Sequence, residues 1–372
     1  MEDWISIQSK DLFLDPDYLK AIEESSESGI QFFYVVVKNK ELEVCAIICY
    51  QLLKVDESLL SQKSVPNQLT NNLISKVINF IGGNVLVQGS YFNTGTHGYS
   101  KNHLITDKQF LSLTNGIINT IHKEYEKVNL IIHKEFYNDD LVFKPFQEEL
   151  KNYKFIPFEI DVNMVLPIAT NWQSFDDYLS TMSTKYRTRA KNVLKKTKDI
   201  QVRELSLDDL DIHADTIFTL YNNVIKTAKF NMAQLNVVAF KNLKKAIGNA
   251  FVITGYFLGD KMVAFTSAYK HGVYFEANYL GIDYDVNKQY PLYQKVLYQF
   301  VKHSIEDETI NVLRFGRTAE QIKSCTGALP SHMTLYLKHR NSILNLLAKP
   351  ILKTVSPTEF ELRKPFKNKY YQ

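Results

Sequence analysis

The sequence predicts an α/β (α+β) protein of two similar units, each a mixed central sheet flanked by helices. Three observations lead there. The chain has 372 residues, and at roughly 100–200 residues per domain such a length asks for two cores. Each half contains two Val/Ile-rich runs joined by a polar turn: 31–38 with 42–54 across Lys38-Asn39-Lys40-Glu41, and 250–258 with 262–270 across Gly259-Asp260. Helical and strand-like runs then alternate in the same order in both halves, with slight identity between them, which points to a structural duplication without a detectable sequence repeat.

In chain order, the first half reads as a helix over 16–25, the strand pair, a helix over 70–81, a strand over 84–91, a helix over 107–125, a strand over 127–134, a helix over 139–152 and a strand over 157–166. The second half reads as a basic helix over 174–198, a strand at 200–205, helices at 206–228 and 234–247, strands at 250–258, 262–270 and 272–282, a helix over 287–305, and strands at 309–315 and 331–338. Helix 107–125 and strands 127–134 and 157–166 are matched with helix 287–305 and strands 309–315 and 331–338. A boundary is expected between Pro167 and Asn171, with Asn171 or Ser174 capping the next helix. The expected units are therefore 1–168 and 169–345, followed by a basic tail, 346–372.

Composition narrows the classes. Hydrophobic residues make up 45% and charged residues 23%, close to globular averages, which excludes disordered and fibrous classes. A net charge of +4 is too small for a nucleic-acid coat, so any anionic partner must be argued from local patches and no DNA partner is expected. Cys45, Cys49 and Cys325 have neither C-x-x-C spacing nor a nearby His cluster, so no disulfide framework and no metal site is indicated. The start, MEDWISIQSKD, lacks an apolar core of the signal-peptide kind and no window approaches about 18 apolar residues, so a cytoplasmic protein is expected. There is no G-x-S-x-G, Walker A, H-E-x-x-H or dinucleotide fingerprint to support hydrolase, NTPase or metalloprotease chemistry.

The most informative stretch is 313–328, LRFGRTAEQIKSCTGA. A strand that stops on Gly316-Arg317 opens a turn in which backbone N–H groups and a guanidinium share one space, which suits an anionic or carbonyl-bearing ligand. Upstream, Lys185, Arg187, Arg189, Lys191, Lys195, Lys196 and Lys198 crowd one helix, either as a docking surface for a polyanion or as a solvated helix face. Tyr274, Glu276 and Asn278 alternate along one strand and should share a face, with Phe275, Ala277 and Tyr279 on the other. The glycines, hydroxyls and His97 of 89–98 read either as a binding loop or as turn chemistry.

Taken in order, the basic helix Lys185 to Lys196, the strand end Tyr274 to Asp283 (YFEANYLGID) and the segment Gly316, Arg317, Lys323 and Gly327 resemble the FemAB-like, peptidoglycan-biosynthesis-like branch of the GNAT acyltransferases. The resemblance covers roughly 172–340. It implies tandem GNAT-like units and transfer of an acyl or aminoacyl group from a thioester or ester donor to an amine, in cell-envelope, polysaccharide or lipid biosynthesis. On that implication Glu276 is the general base and Tyr274 a general acid, while Arg187, Arg189, Asn278, Gly316, Arg317 and Lys323 bind donor or substrate. No tightly bound cofactor is implied, only acyl-CoA or another acyl or aminoacyl donor as co-substrate; tRNA is one candidate partner, and the basic tail a candidate for peripheral membrane contact. One departure matters: where GNAT enzymes cradle the donor pyrophosphate in a Gly-rich loop, this chain has Asn287-Lys288-Gln289-Tyr290-Pro291-Leu292-Tyr293, without a glycine. That favours a bulkier or tethered donor, or a non-catalytic binding protein built from degenerate units.

Overall fold

The computed structural model describes residues 2–7, 11–27, 29–55, 82–227, 233–352 and 359–367. The helix expected over 70–81 lies outside them. The strands are β1 (Gln31–Lys38), β2 (Val44–Lys54), β3 (Asn84–Gln88), β4 (Tyr99–Lys101), β5 (Leu130–Tyr137), β6 (Ile156–Pro167), β7 (Ile200–Glu204), β8 (Phe251–Leu258), β9 (Lys261–His271), β10 (Tyr274–Ile282), β11 (Val312–Arg314) and β12 (Leu329–His339). Two compact units emerge: residues 1–160, 229–235 and 332–358 form one, and 161–228, 236–331 and 359–372 the other.

The first unit carries the order β1-β2-β3-β5-β12, with β4 added to β2. Its pairs are antiparallel, antiparallel, parallel and antiparallel in turn. The second unit repeats that sequence in β8-β9-β10-β11-β6, with β7 as an extra antiparallel strand on β8. The duplication is therefore one of topology, and each unit is a mixed α/β sheet flanked by helices.

The division differs from the expected one at residue 168 in an informative way. β6 was matched to the first unit and β12 to the second, yet β12 pairs with β5 and β6 pairs with β11. The closing strands are exchanged. Both are long runs of similar alternation, so nothing local decides which parallel pair each one completes. The expected tail is also divided between the units. Helix Ser342–Leu352 packs Ala348 with Val85, Val87 and Leu337 of the first. Residues 359–367 belong to the second, where Phe366 bridges Met182, Lys367 N–H donates to the Thr181 carbonyl and Ser183 N–H donates to the Pro365 carbonyl.

Local chemistry explains most element ends. Pro16 opens Pro16–Ser25 behind an Asp15 cap, and Thr106 with Gln109 forms a capping box on Asp107–Thr120. Ser174 caps Phe175–Thr181. The basic helix starts only at Thr184, because Met182 and Ser183 are extended and bound to the 359–367 segment. In the second unit Phe275, Val296, Phe300, Val301 and Leu313 anchor a core between the sheet and helix Leu292–Glu306. Among the described residues no helix is long and apolar enough to cross a membrane.

Candidate active site

The candidate site forms where β10 and β11 part. Their parallel ladder runs Tyr274↔Val312, Phe275↔Leu313, Glu276↔Arg314 and then ends. Beyond it, β10 keeps only its antiparallel partner β9, and its register shifts between Ala277 and Leu280. That shift inserts one residue, a β-bulge, and resets the alternation. Glu276 lies opposite Tyr269 and Gly281 opposite Phe265, on one face; Ala277, Leu280 and Ile282 lie opposite Ala268, Thr266 and Ala264, on the other. Asn278 and Tyr279 form the bulge across from Ser267, to whose Oγ Tyr279 N–H donates at 3.1 Å. Tyr279, expected on the opposite face, packs edge-on against Tyr221 and Phe240, and Phe240 is in turn edge-on to Phe265 of the Glu276 face.

Glu276 is 5% exposed. Its Oε2 lies 2.8 Å from His271 Nε2 and 3.8 Å from Arg314 Nη1, and Oε1 has no hydrogen-bond partner among the described residues. The Arg314 guanidinium covers the Tyr274 ring at 3.8 Å, and Tyr274 lies opposite His271 in the β9–β10 ladder. A buried carboxylate is tolerable only when paired and hydrogen-bonded, and His271 and Arg314 meet that need at one oxygen. The other remains available to a donor. Neither partner carries a signal in the sequence, although His271 sits at the hairpin end and Arg314 two residues before Gly316.

The turn after β11 is built with care. Gly316 N–H donates to Asn163 Oδ1 at 3.0 Å and its carbonyl accepts from Met164 N–H, so β6 holds the segment one step past the strand. Gly316 has φ +74, with the carbonyl of Ala277 3.7 Å from where a Cβ would stand; backbone conformation, rather than space, asks for glycine here. Thr318 and Ala319 follow at φ 66 and 53, two consecutive non-glycine residues in the left-handed region. Such strain persists only where the surroundings over-determine it. Lys323 supplies much of that constraint: its Nζ donates to the carbonyls of Gly316 (3.1 Å) and Arg317 (2.6 Å). Burial pulls the Lys323 ammonium down to about 7, with Arg317 adding to the effect and Glu320 opposing it.

Of the residues picked from sequence, Tyr274, Glu276 and Gly316 therefore adjoin one another along β10 and β11, and Arg317, half-buried, follows in the turn that Lys323 holds. Arg189 lies on the side of helix Leu292–Glu306, across the sheet from Glu276. It lines a cavity of about 260 Å³ with Lys185, Tyr186, Gln321, Ile322, Cys325 and Arg363, while half-buried Arg187 does not line it. At the entry of Leu292–Glu306, Leu292 N–H donates to the Tyr290 carbonyl (2.6 Å) and Tyr293 N–H to Asn287 Oδ1 (3.1 Å). Two amides that could have faced a phosphate are thus already engaged.

This topology is a fold shared with solved structures of very different sequence, FemX among them. No family model matches the sequence, and no curated protein matches it. Among solved structures, FemX aligns at a TM-score of 0.54 with 11% identity, over 91% of this chain and 94% of that one. The C-terminal domain (DUF2156) of a protein named as a lysylphosphatidylglycerol synthetase, from Agrobacterium fabrum, aligns at 0.51 with 8% identity, over 95% of each chain. Identities this low make the likeness one of fold.

Proposed function

We propose that the chain is an N-acyltransferase, moving an acyl or aminoacyl group from a thioester or ester donor to an amine at the parting of β10 and β11. The observation that carries this reading is buried Glu276, with one carboxylate oxygen paired to His271 and Arg314 and the other without a hydrogen-bond partner among the described residues, at the point where the strands separate. An ammonium cannot attack a carbonyl, so the acceptor must lose a proton, and Glu276 takes it. The amine nitrogen then bonds to the carbonyl carbon, the tetrahedral oxyanion gathers charge facing Arg317, and the carbon–donor bond breaks as the donor's sulfur or oxygen leaves with a proton supplied by Tyr274, whose phenolate recovers one from the newly acylated nitrogen. The engaged amides at the helix entry favour a donor gripped by side chains over one cradled by backbone. The transferase fold and the sequence resemblance support the same class of chemistry.

The test is a panel of acyl-CoA, acyl-carrier and aminoacyl-tRNA donors against amino-sugar, lipid-amine and cell-wall-precursor acceptors, with products read by mass spectrometry. Glu276→Gln should lose about 10²–10⁴-fold in turnover, the usual size of a general-base contribution, and flatten the pH profile while donor binding persists. A Glu276→Gln variant as active as the parent would overturn the assignment. Donor binding without turnover by the parent protein would favour the second reading, a binding protein, which the glycine-free helix entry also suits.

A further inference from the structure

The cavity beside the basic helix has a wall that the sequence gives no reason to expect. Lys185 and Arg189 stand one turn apart on Thr184–Lys196, Gln321, Ile322 and Cys325 come from helix Glu320–Ser324 and its end, and Arg363 comes from the far end of the chain. Arg363 is brought there by a strap. Its N–H donates to Ser324 Oγ at 3.0 Å, and Phe366 packs on Trp172 and Tyr178 and fills the space where a side chain on Gly327 would stand. Among the described residues no carboxylate lines the cavity; Glu361, exposed, is ion-paired with the Arg363 guanidinium. Cys325 Sγ lies 3.8 Å from Arg189 Nη1 and bonds the Gln321 carbonyl. Burial pushes this thiol up, while Arg189, Arg363 and Lys185 pull the other way, and all three cations line the same cavity. A smaller cavity sharing Arg189, Ile322 and Cys325 continues toward Gln294, Leu297 and Tyr298.

We infer that this cavity binds the diphosphate of a small phosphate-ester ligand, with Lys185, Arg189 and Arg363 on its oxygens and the attached group running over Tyr186 and Ile322 toward Leu297 and Tyr298. Glu361 offsets part of the Arg363 charge, so it is geometry and not net charge that selects the ligand: two guanidinium forks and an ammonium offer more donors than one phosphate group can accept and suit the paired oxygens of a diphosphate. Within the proposed transfer reaction this would be the handle of a phosphorylated donor or acceptor. Binding itself does not depend on that reaction.

The test is calorimetric titration of the full chain with inorganic pyrophosphate, inorganic phosphate, coenzyme A and phosphatidylglycerol vesicles. Pyrophosphate is expected to bind more tightly than phosphate, and coenzyme A more tightly still. Arg189→Ala and Arg363→Ala should each weaken pyrophosphate by roughly tenfold or more, the scale of a charge-assisted bond, whereas a Lys195→Ala/Lys196→Ala pair, on the exposed part of the same helix, should not. Because loss of Arg363 could loosen the strap, thermal melts and Arg363→Lys accompany it; the lysine variant should keep the fold and recover part of the affinity. Equal weakening by the Lys195/Lys196 pair, no pyrophosphate binding by the parent protein, or binding only to vesicles would each overturn the proposal. Pyrophosphate binding by a chain that transfers nothing would sink the proposed reaction and leave this site standing.

Discussion

Arg317 tests the turn after β11 at the level of one side chain. Its carbonyl is held by Lys323 and its neighbours are conformationally committed, so the guanidinium leaves a fixed base. Arg317→Lys retains the charge and loses the planar fork, and transition-state stabilisation should fall by about 1–3 kcal/mol, read as kcat/KM. Wild-type turnover would remove Arg317 from the site. A second residue reports on stability alone. His133 is 1% exposed, neither ring nitrogen has a hydrogen-bond partner among the described residues, and its ring packs against Phe146 and Phe155. Burial, helped by Lys338, pulls the imidazole from its ordinary value of 6.5 down to about 3. The folded protein keeps it neutral while the unfolded chain protonates it below 6.5, so stability drains as pH falls from about 6.5 to about 3. His133→Leu should add about 1 kcal/mol at pH 7, since an unsatisfied buried polar group disappears, and should flatten the acid side of the profile. Denaturant unfolding at pH 7 and pH 4.5 checks both parts.

At the scale of elements, the exchanged closing strands give the clearest experiment. A fragment ending at residue 168 contains every element first assigned to the amino-terminal unit, yet it lacks β12 and leaves β5 without its antiparallel neighbour. It should remain unfolded or aggregate through the open edge, and a covalently linked copy of 329–352 should restore a cooperative melt; a stable fragment 1–168 would contradict the division. The same elements mark what the sequence could reveal. The hairpins 31–54 and 251–271 were legible, because period-two alternation and a turn of two to five residues are local signals. The exchange was not, because two strands with similar alternation compete for partners more than a hundred residues away. The bulge at Asn278 was equally hidden: one inserted residue leaves the apolar pattern readable and shifts which side chains share a face.

For the molecule as a whole, the fold was legible from the order of its elements, and the candidate site only in part. Glu276, Tyr274 and Gly316 were found because strand alternation and a Gly-Arg turn are short-range features; His271 and Arg314, which make Glu276 tolerable, were missed because ion pairing across a sheet leaves no sequence spacing. Arg363 was placed in a basic tail, since only the packing of Phe366 against Trp172 and Tyr178 brings it back to the cavity. The exchange of closing strands also bears on how the chain is made. β5 leaves the ribosome about 190 residues before β12 begins, an interval of about 10–40 s at roughly 5–20 residues per second. Throughout that time the amino-terminal sheet has no final strand, and for most of it β6, already synthesised, waits for a β11 not yet made. Both sheets close only late in synthesis, so the nascent polypeptide depends on something else, a chaperone or its own partial collapse, to keep an unpaired β5 from finding a stranger's edge.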